Sequence, residues 1–239
     1  AGVTTLKNVS FEANAGEILG IAGIAGSGQK ELLEAVAGLQ NIQEGSIVFH
    51  DDKGDIELVG KTSTEIRNVG VALSFVPEDR LGMGGNMDLA DNVMLRSYMD
   101  GKGIAVNRKK PRQKTEKIVD ELKVVTPSIS TPIRRLSGGN VQKVLVGREI
   151  SNAPAVLMTA YAVRGLDINT SYIIYNLINE QKEKGVAVIY VGEDLDVLLE
   201  LADRILVLCG GSVSGIVDAR TTTKEQIGLM MTKHSTEVM

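Results

Sequence analysis

Two short stretches of this chain carry residue types suited to binding anions. The first is Leu136-Ser137-Gly138-Gly139-Asn140-Val141-Gln142-Lys143. Two glycines let the backbone approach a ligand closely, and Ser137 offers a hydroxyl. A helix beginning near Asn140 would aim its N-terminal amides at the same point. An ordinary loop-to-helix cap is the alternative for this stretch alone. The second is Gly23-Ile24-Ala25-Gly26-Ser27-Gly28-Gln29-Lys30-Glu31. Its glycine spacing is that of the phosphate loop G-x-x-x-x-G-K-[ST], whose backbone amides cradle phosphate. The chemical residues differ. Gln29 stands where Lys would neutralise β- and γ-phosphate charge, and Lys30 stands where a hydroxyl would ligate Mg²⁺. A neutral amide donates hydrogen bonds but supplies no charge. Lys30, one position late, would leave the loop in another direction. The alternative here is a glycine turn that binds no nucleotide.

The elements around these stretches alternate. Glu17 to Gly23 reads as a buried strand feeding the second stretch, and Lys30 to Ala37 as a helix stopped by Gly38. Ala155 to Thr159, Val186 to Val191 and Arg204 to Cys209 read as further buried strands. Helices Asn169 to Lys184 and Asp194 to Leu201 fall between them. Continuous apolar strands alternating with helices imply an α/β fold: a mostly parallel sheet covered on both faces. Ser46 to His50 and Asp55 to Val59 flank Asp51-Asp52-Lys53-Gly54 as an antiparallel hairpin. From about Asp79 to Ile150 buried strands are lacking, and Pro111 suits the first turn of a helix running to Val124. The expected organisation is one domain over 1–239. Residues 1–78 and 151–220 form the core with its β piece, 79–150 an inserted helical subdomain, and 221–239 a final helix and tail.

Composition narrows the function. Aromatic residues are 3% of the chain and Trp is absent, which disfavours a base-stacking platform. The net charge of −4 is not that of a polyanion-binding protein. The basic run Arg108, Lys109, Lys110, Arg112, Lys114, Lys117 reads as a solvated helix face, so nucleic acid is not expected as a partner. The single cysteine, Cys209, lies in an apolar strand and reads as core. His50 and His234 are isolated, which argues against a metal site of the chain's own. No apolar run approaches the roughly 18 residues of a membrane span, so any membrane role goes through a partner.

The stretch 136–140 resembles the LSGGQ signature of the ATP-binding cassette family, with Asn140 in place of Gln. The order of further motifs is similar to that family from Leu6 to Val217. The resemblance implies a P-loop fold and two cassettes paired head to tail, with each ATP between the phosphate loop of one and the signature of the other. Aligning Arg164-Gly165-Leu166-Asp167 with the family's D-loop puts Ala160 at the Mg²⁺-coordinating Asp and Tyr161 at the catalytic Glu. Ala holds no coordinated water, and Tyr is a very weak base near neutral pH. Phe75-Val76-Pro77-Glu78-Asp79-Arg80 resembles the Q-loop, with Glu78 at its Gln. Val191-Gly192-Glu193-Asp194-Leu195 resembles the switch loop, with Glu193 at its His.

The cis-acting features are thus altered and the trans-acting ones kept. The combination of Gly26, Gly28, Gln29, Glu31 and Leu32 with Pro77-Glu78-Asp79-Arg80 and Arg164-Gly165-Leu166-Asp167 looks like the C-terminal cassette of twin-cassette bacterial importers for ribose, related simple sugars and nucleosides. The resemblance implies ATP as cofactor, with Mg²⁺ belonging mainly to the partner site. It implies a second cassette and transmembrane permease subunits as partners, a solute-binding protein indirectly, and a place on the cytoplasmic face of the membrane. Two other readings compete: a soluble twin-cassette protein acting on nucleic acid, and a non-catalytic structural cassette.

Overall fold

The computed structural model describes residues 5–75, 83–95 and 108–232, and the chain divides into two compact units. The first comprises residues 1–73, 154–160 and 179–239. It holds a six-stranded sheet in the order β4-β5-β6-β1-β7-β8. The strands are β1 (Ile18–Gly23), β4 (Val71–Phe75), β5 (Val156–Ala160), β6 (Ala187–Val191), β7 (Arg204–Cys209) and β8 (Ser212–Asp218). β1 pairs parallel with β6 and β7, β5 pairs parallel with β6, and β8 returns antiparallel along β7. Helices α1 (Gln29–Val36), α7 (Leu195–Leu201) and α8 (Lys224–Thr232) pack on this sheet. The hairpin β2 (Val48–Asp51) and β3 (Gly54–Glu57) forms a separate two-stranded sheet, and the short helix α2 (Ser63–Asn68) follows it in the chain.

The central strands are apolar on both faces because helices cover both. Ile18, Leu19, Ile21, Ala22, Val188, Leu206 and Val207 are fully buried. Each large aliphatic side chain so buried contributes about 1.5–3 kcal/mol. Asp203 staples three elements at the start of β1. Its carboxylate accepts from the Ile18 amide at 3.0 Å and the Lys182 ammonium at 2.7 Å. Burial pushes its pKa up, but the Ile18 amide and the Lys182 charge outweigh that and hold the carboxyl below its ordinary value. Two of the sheet's strands, β4 and β8, lie outside the sequence expectations. β8 is half-buried, contains Gly215 and faces a register shift at Val207/Leu208, so no continuous apolar run marks it.

The second unit comprises residues 74–153 and 161–178. Its helices are α3 (Leu89–Met94), α4 (Lys109–Glu121) and α5 (Gly138–Ile150), and the long helix α6 (Ile168–Glu183) enters it with residues 168–178. Leu89, Val93, Ile118, Leu122, Ile133 and Val144 form its core. α4 has Pro111 in its first turn and stops at Glu121, short of Val124, because Lys123 takes a left-handed φ of 50°. α5 starts at Gly138, two residues before the expected point, with Ser137 as its N-cap. Among the described residues no helix is long and apolar enough to cross a membrane.

Candidate functional site

In the first unit the register brings three candidate positions to one edge of the sheet. Ile21 and Ala160 both pair with Val191. The C-terminal ends of β5, β6 and β1 therefore lie side by side. They carry Ala160, the Gly192–Glu193 turn and the glycine loop in turn. The carboxyl ends of parallel strands are where open α/β sheets bind ligands. Ala160 is fully buried and offers only a methyl group. Its neighbour Thr159 has a buried hydroxyl without a hydrogen-bond partner. Glu193 is exposed, and the next residue, Asp194, caps α7 by accepting from the Asp196 amide at 2.9 Å.

The glycine loop runs from Gly23 into α1. Gly26 and Gly28 adopt φ of 82° and 102°, values costly for any residue with a Cβ. Gly28 is the N-cap of α1 and provides no side-chain cap. The Leu6 side chain lies directly against its Cα. Ser27 is buried. Gln29 is buried too, and its amide turns back into the loop. Nε2 donates to the Gly23 carbonyl at 2.7 Å and the Ile24 carbonyl at 3.2 Å. The group at the lysine position thus serves the loop's own backbone. Lys30 is exposed, with Nζ 3.7 Å from Glu34 one turn along the helix. Glu31 adds a carboxylate to the first turn, where it offsets the positive end of the helix dipole.

The stretch 136–140 in the second unit is built differently. Leu136 is buried and anchors the chain, while Ser137 is exposed. The Ser137 hydroxyl accepts from the Asn140 amide at a long 3.5 Å and from the Asn140 side chain at 2.9 Å. Asn140 Oδ1 in turn accepts from the Val125 amide at 2.9 Å. A Cβ on Gly139 would lie 3.4 Å from Leu166 and 3.5 Å from Thr170. The first turn of α5 therefore sits close against residues 166–170. Gln142 reinforces this contact: Nε2 donates to the Arg164 carbonyl at 3.2 Å, and Oε1 is buried without a partner.

Residues 161–167 form a tight loop. Tyr161 has a left-handed φ of 55°, a strained value for an aromatic residue. The Arg164 guanidinium lies 6.0 Å from its ring centroid. Gly165 has φ 71°. Asp167 caps α6, accepting from the Thr170 amide at 3.0 Å and the Thr170 hydroxyl at 2.8 Å. These two bonds hold its carboxyl below the usual range. Glu78 lies outside the described residues.

Sequence reasoning placed the glycines but missed three partners: Leu6 against Gly28, Val125 on Asn140, and Arg164 on Gln142. No motif marks them, since each is a contact made by folding. Members of the basic run are engaged locally. Arg108 meets Asp91, Arg112 meets Ser130, Lys114 meets Asn152 and Lys117 meets Glu121. Among the described residues no group of three His, Cys, Asp or Glu side chains could hold a metal.

The family model described as ABC transporter matches residues 6–159. The galactose/methyl galactoside import ATP-binding protein MglA of Salmonella typhimurium is 35% identical over 233 residues, covering 96% of this chain and 45% of that protein. The xylose import ATP-binding protein XylG of Moorella thermoacetica is 38% identical over 225 residues, covering 93% and 44%. The chain thus spans a little under half the length of these relatives. A dimeric ATP-binding cassette in a post-hydrolysis state with ADP and Pi superposes with a TM-score of 0.77 at 24% identity, covering 91% of this chain and 92% of that one. A nucleotide-free ATP-binding cassette from an ABC transporter gives 0.75 at 22% identity, covering 95% and 88%.

Proposed function

This chain belongs to the ABC transporter family, and on that premise we propose that it acts as the non-hydrolysing cassette of an importer for simple sugars or nucleosides. It presents Ser137 and the amides of residues 138–140 to an ATP whose phosphates are held by a second cassette. That second cassette supplies the lysine, the Mg²⁺ ligands and the catalytic carboxylate. The relatives named for sugar import support the substrate class. The asymmetry rests on one observation: the Gln29 amide is spent on the carbonyls of Gly23 and Ile24, while the Ser137 hydroxyl is exposed.

The residues fit that division of labour. The loop 23–28 retains a backbone able to curve around phosphate, so it can hold nucleotide weakly. It brings no cation to the β- and γ-oxygens, Ala160 offers no oxygen to Mg²⁺, and Tyr161 offers no base. Losing these groups together removes several kcal/mol of transition-state stabilisation. On the other surface, a hydroxyl and helix-terminal amides are already oriented, which is how developing phosphoryl charge is stabilised without reorganisation. The D-loop residues Gly165, Leu166 and Asp167 face the second cassette in this reading. The segment from Glu78 to Met99 meets a permease subunit at the cytoplasmic face of the membrane, and a solute-binding protein delivers the cargo to that permease.

Phosphate release by the isolated chain tests the cis half of the proposal. No Mg²⁺-dependent release above buffer is expected, with ATP binding at about 1 mM or weaker by calorimetry. Turnover that requires Mg²⁺ and saturates with ATP would refute it.

A further inference from the structure

We propose that Asn140 is a positioning residue that makes the Ser137 hydroxyl a dedicated hydrogen-bond donor. This rests on the trans-acting role of Ser137 given above and says how the chain sets it.

The orientation of the Asn140 amide is fixed by chemistry. The Val125 backbone N–H can only donate, and it lies 2.9 Å from Oδ1. The carbonyl end must therefore face Val125, which turns the NH₂ end toward Ser137, 2.9 Å from Oγ. The Asn140 backbone amide points at the same oxygen from 3.5 Å, too long to dominate. Ser137 Oγ thus receives N–H groups from both the side chain and the backbone of Asn140. Its own proton can lie along neither and is directed outward, where Ser137 is exposed. A serine whose hydroxyl rotates freely offers an approaching group a lone pair as readily as a proton. A serine held this way offers the proton, and so prefers a ligand rich in acceptors, such as a phosphate oxygen.

The clamp also ties two pieces of chain together. Val125 follows the left-handed Lys123 at the end of α4, and the Lys123 carbonyl accepts from Lys143 Nζ at 3.2 Å. Asn140 and Lys143 both stand on α5, three residues apart, and together fasten the α4–α5 connection to the start of the signature helix. A purely structural clamp and a hydroxyl-orienting clamp make opposite forecasts for Asn140→Asp. Aspartate keeps the acceptor for Val125 and suits the third position of a helix, where a negative charge is favourable. It has no proton to give Ser137 and draws the serine proton inward instead.

The test uses the full twin-cassette importer with its permease in proteoliposomes, comparing Asn140→Asp, Asn140→Ala and Ser137→Arg. Asn140→Asp is expected to melt at or above the wild-type temperature while losing about a hundredfold in kcat at neutral pH. Asn140→Ala is expected to lose only about tenfold, because its serine proton is released to rotate rather than captured. The aspartate variant should also regain turnover as pH falls through the carboxylate range, since a protonated acid no longer draws the serine proton. If Asn140→Asp turns over faster than Asn140→Ala, with no recovery in acid, the clamp is structural and the inference is overturned. If Ser137→Arg abolishes turnover while Asn140→Asp leaves it intact, the inference fails and the trans role of Ser137 stands. If Ser137→Arg changes nothing, both fail.

Discussion

The loop at residues 23–30 and the loop at residues 136–140 share one plan: glycines at or next to the start of a helix. They differ in where the polar side chain goes. Gln29 is buried and folds back onto the carbonyls of its own loop, whereas Ser137 is exposed and accepts from the Asn140 side chain. Glycine spacing therefore specifies a backbone that can surround an anion. The one or two side chains that follow set what that backbone presents: a buried amide closed on its own loop in one case, an exposed serine in the other.

The strongest way to separate the loops is by their glycines. Gly28 has φ 102° with Leu6 against its Cα, so Gly28→Ala should cost about 2 kcal/mol in denaturant unfolding. Gly139 has ordinary space toward Leu166 and lies in a helix, so Gly139→Ala should be neutral or raise stability by up to about 0.5 kcal/mol. Equal losses at the two positions would break the distinction. Next in size is Asp203→Asn, which removes a charged acceptor from Ile18 and Lys182 and should cost about 1.5–2 kcal/mol. Because the folded carboxyl is held below its ordinary value of 3.8, its contribution is present above about pH 4. It is lost as pH falls below that through the folded value, as the unfolded state gains the proton first. A pH series of unfolding curves on wild type and variant should converge in acid. A smaller change than that at Asp203 is expected for Gln29→Lys. A cation in the first loop should tighten ATP binding by about tenfold, roughly 1.4 kcal/mol, in calorimetry. No turnover should follow, since Ala160 and Tyr161 remain.

Much of the first unit was legible because its strands are covered on both faces. Ile18 to Ala22, Ala187 to Val191 and Ile205 to Leu208 are near-continuous apolar runs that a parallel sheet requires. β8 was hidden because a half-buried antiparallel return strand with an internal glycine makes no such run. The candidate site was legible where the backbone itself is specified, at Gly26, Gly28, Ser137 and Gly165. The direction of the Gln29 side chain was not, because a buried amide turns to whichever carbonyls the fold places near it. The Asn140 tether spans 15 residues and the Gln142 tether 22, and neither has a local signal. Tyr161 shows both sides of this. Its identity excluded a carboxylate base, but its left-handed backbone appears only in the folded chain.

The central claim is that this chain works through its second loop and not its first. ATP turnover by the proposed assembly of this cassette with a second one and a permease, with Ser137→Arg and Gln29→Ala compared in this cassette alone, tests it most directly. The account predicts a loss of about a hundredfold or more for Ser137→Arg. Gln29→Ala should stay within about threefold of wild type, a difference under 1 kcal/mol. A silent Ser137→Arg beside a crippling Gln29→Ala would contradict it.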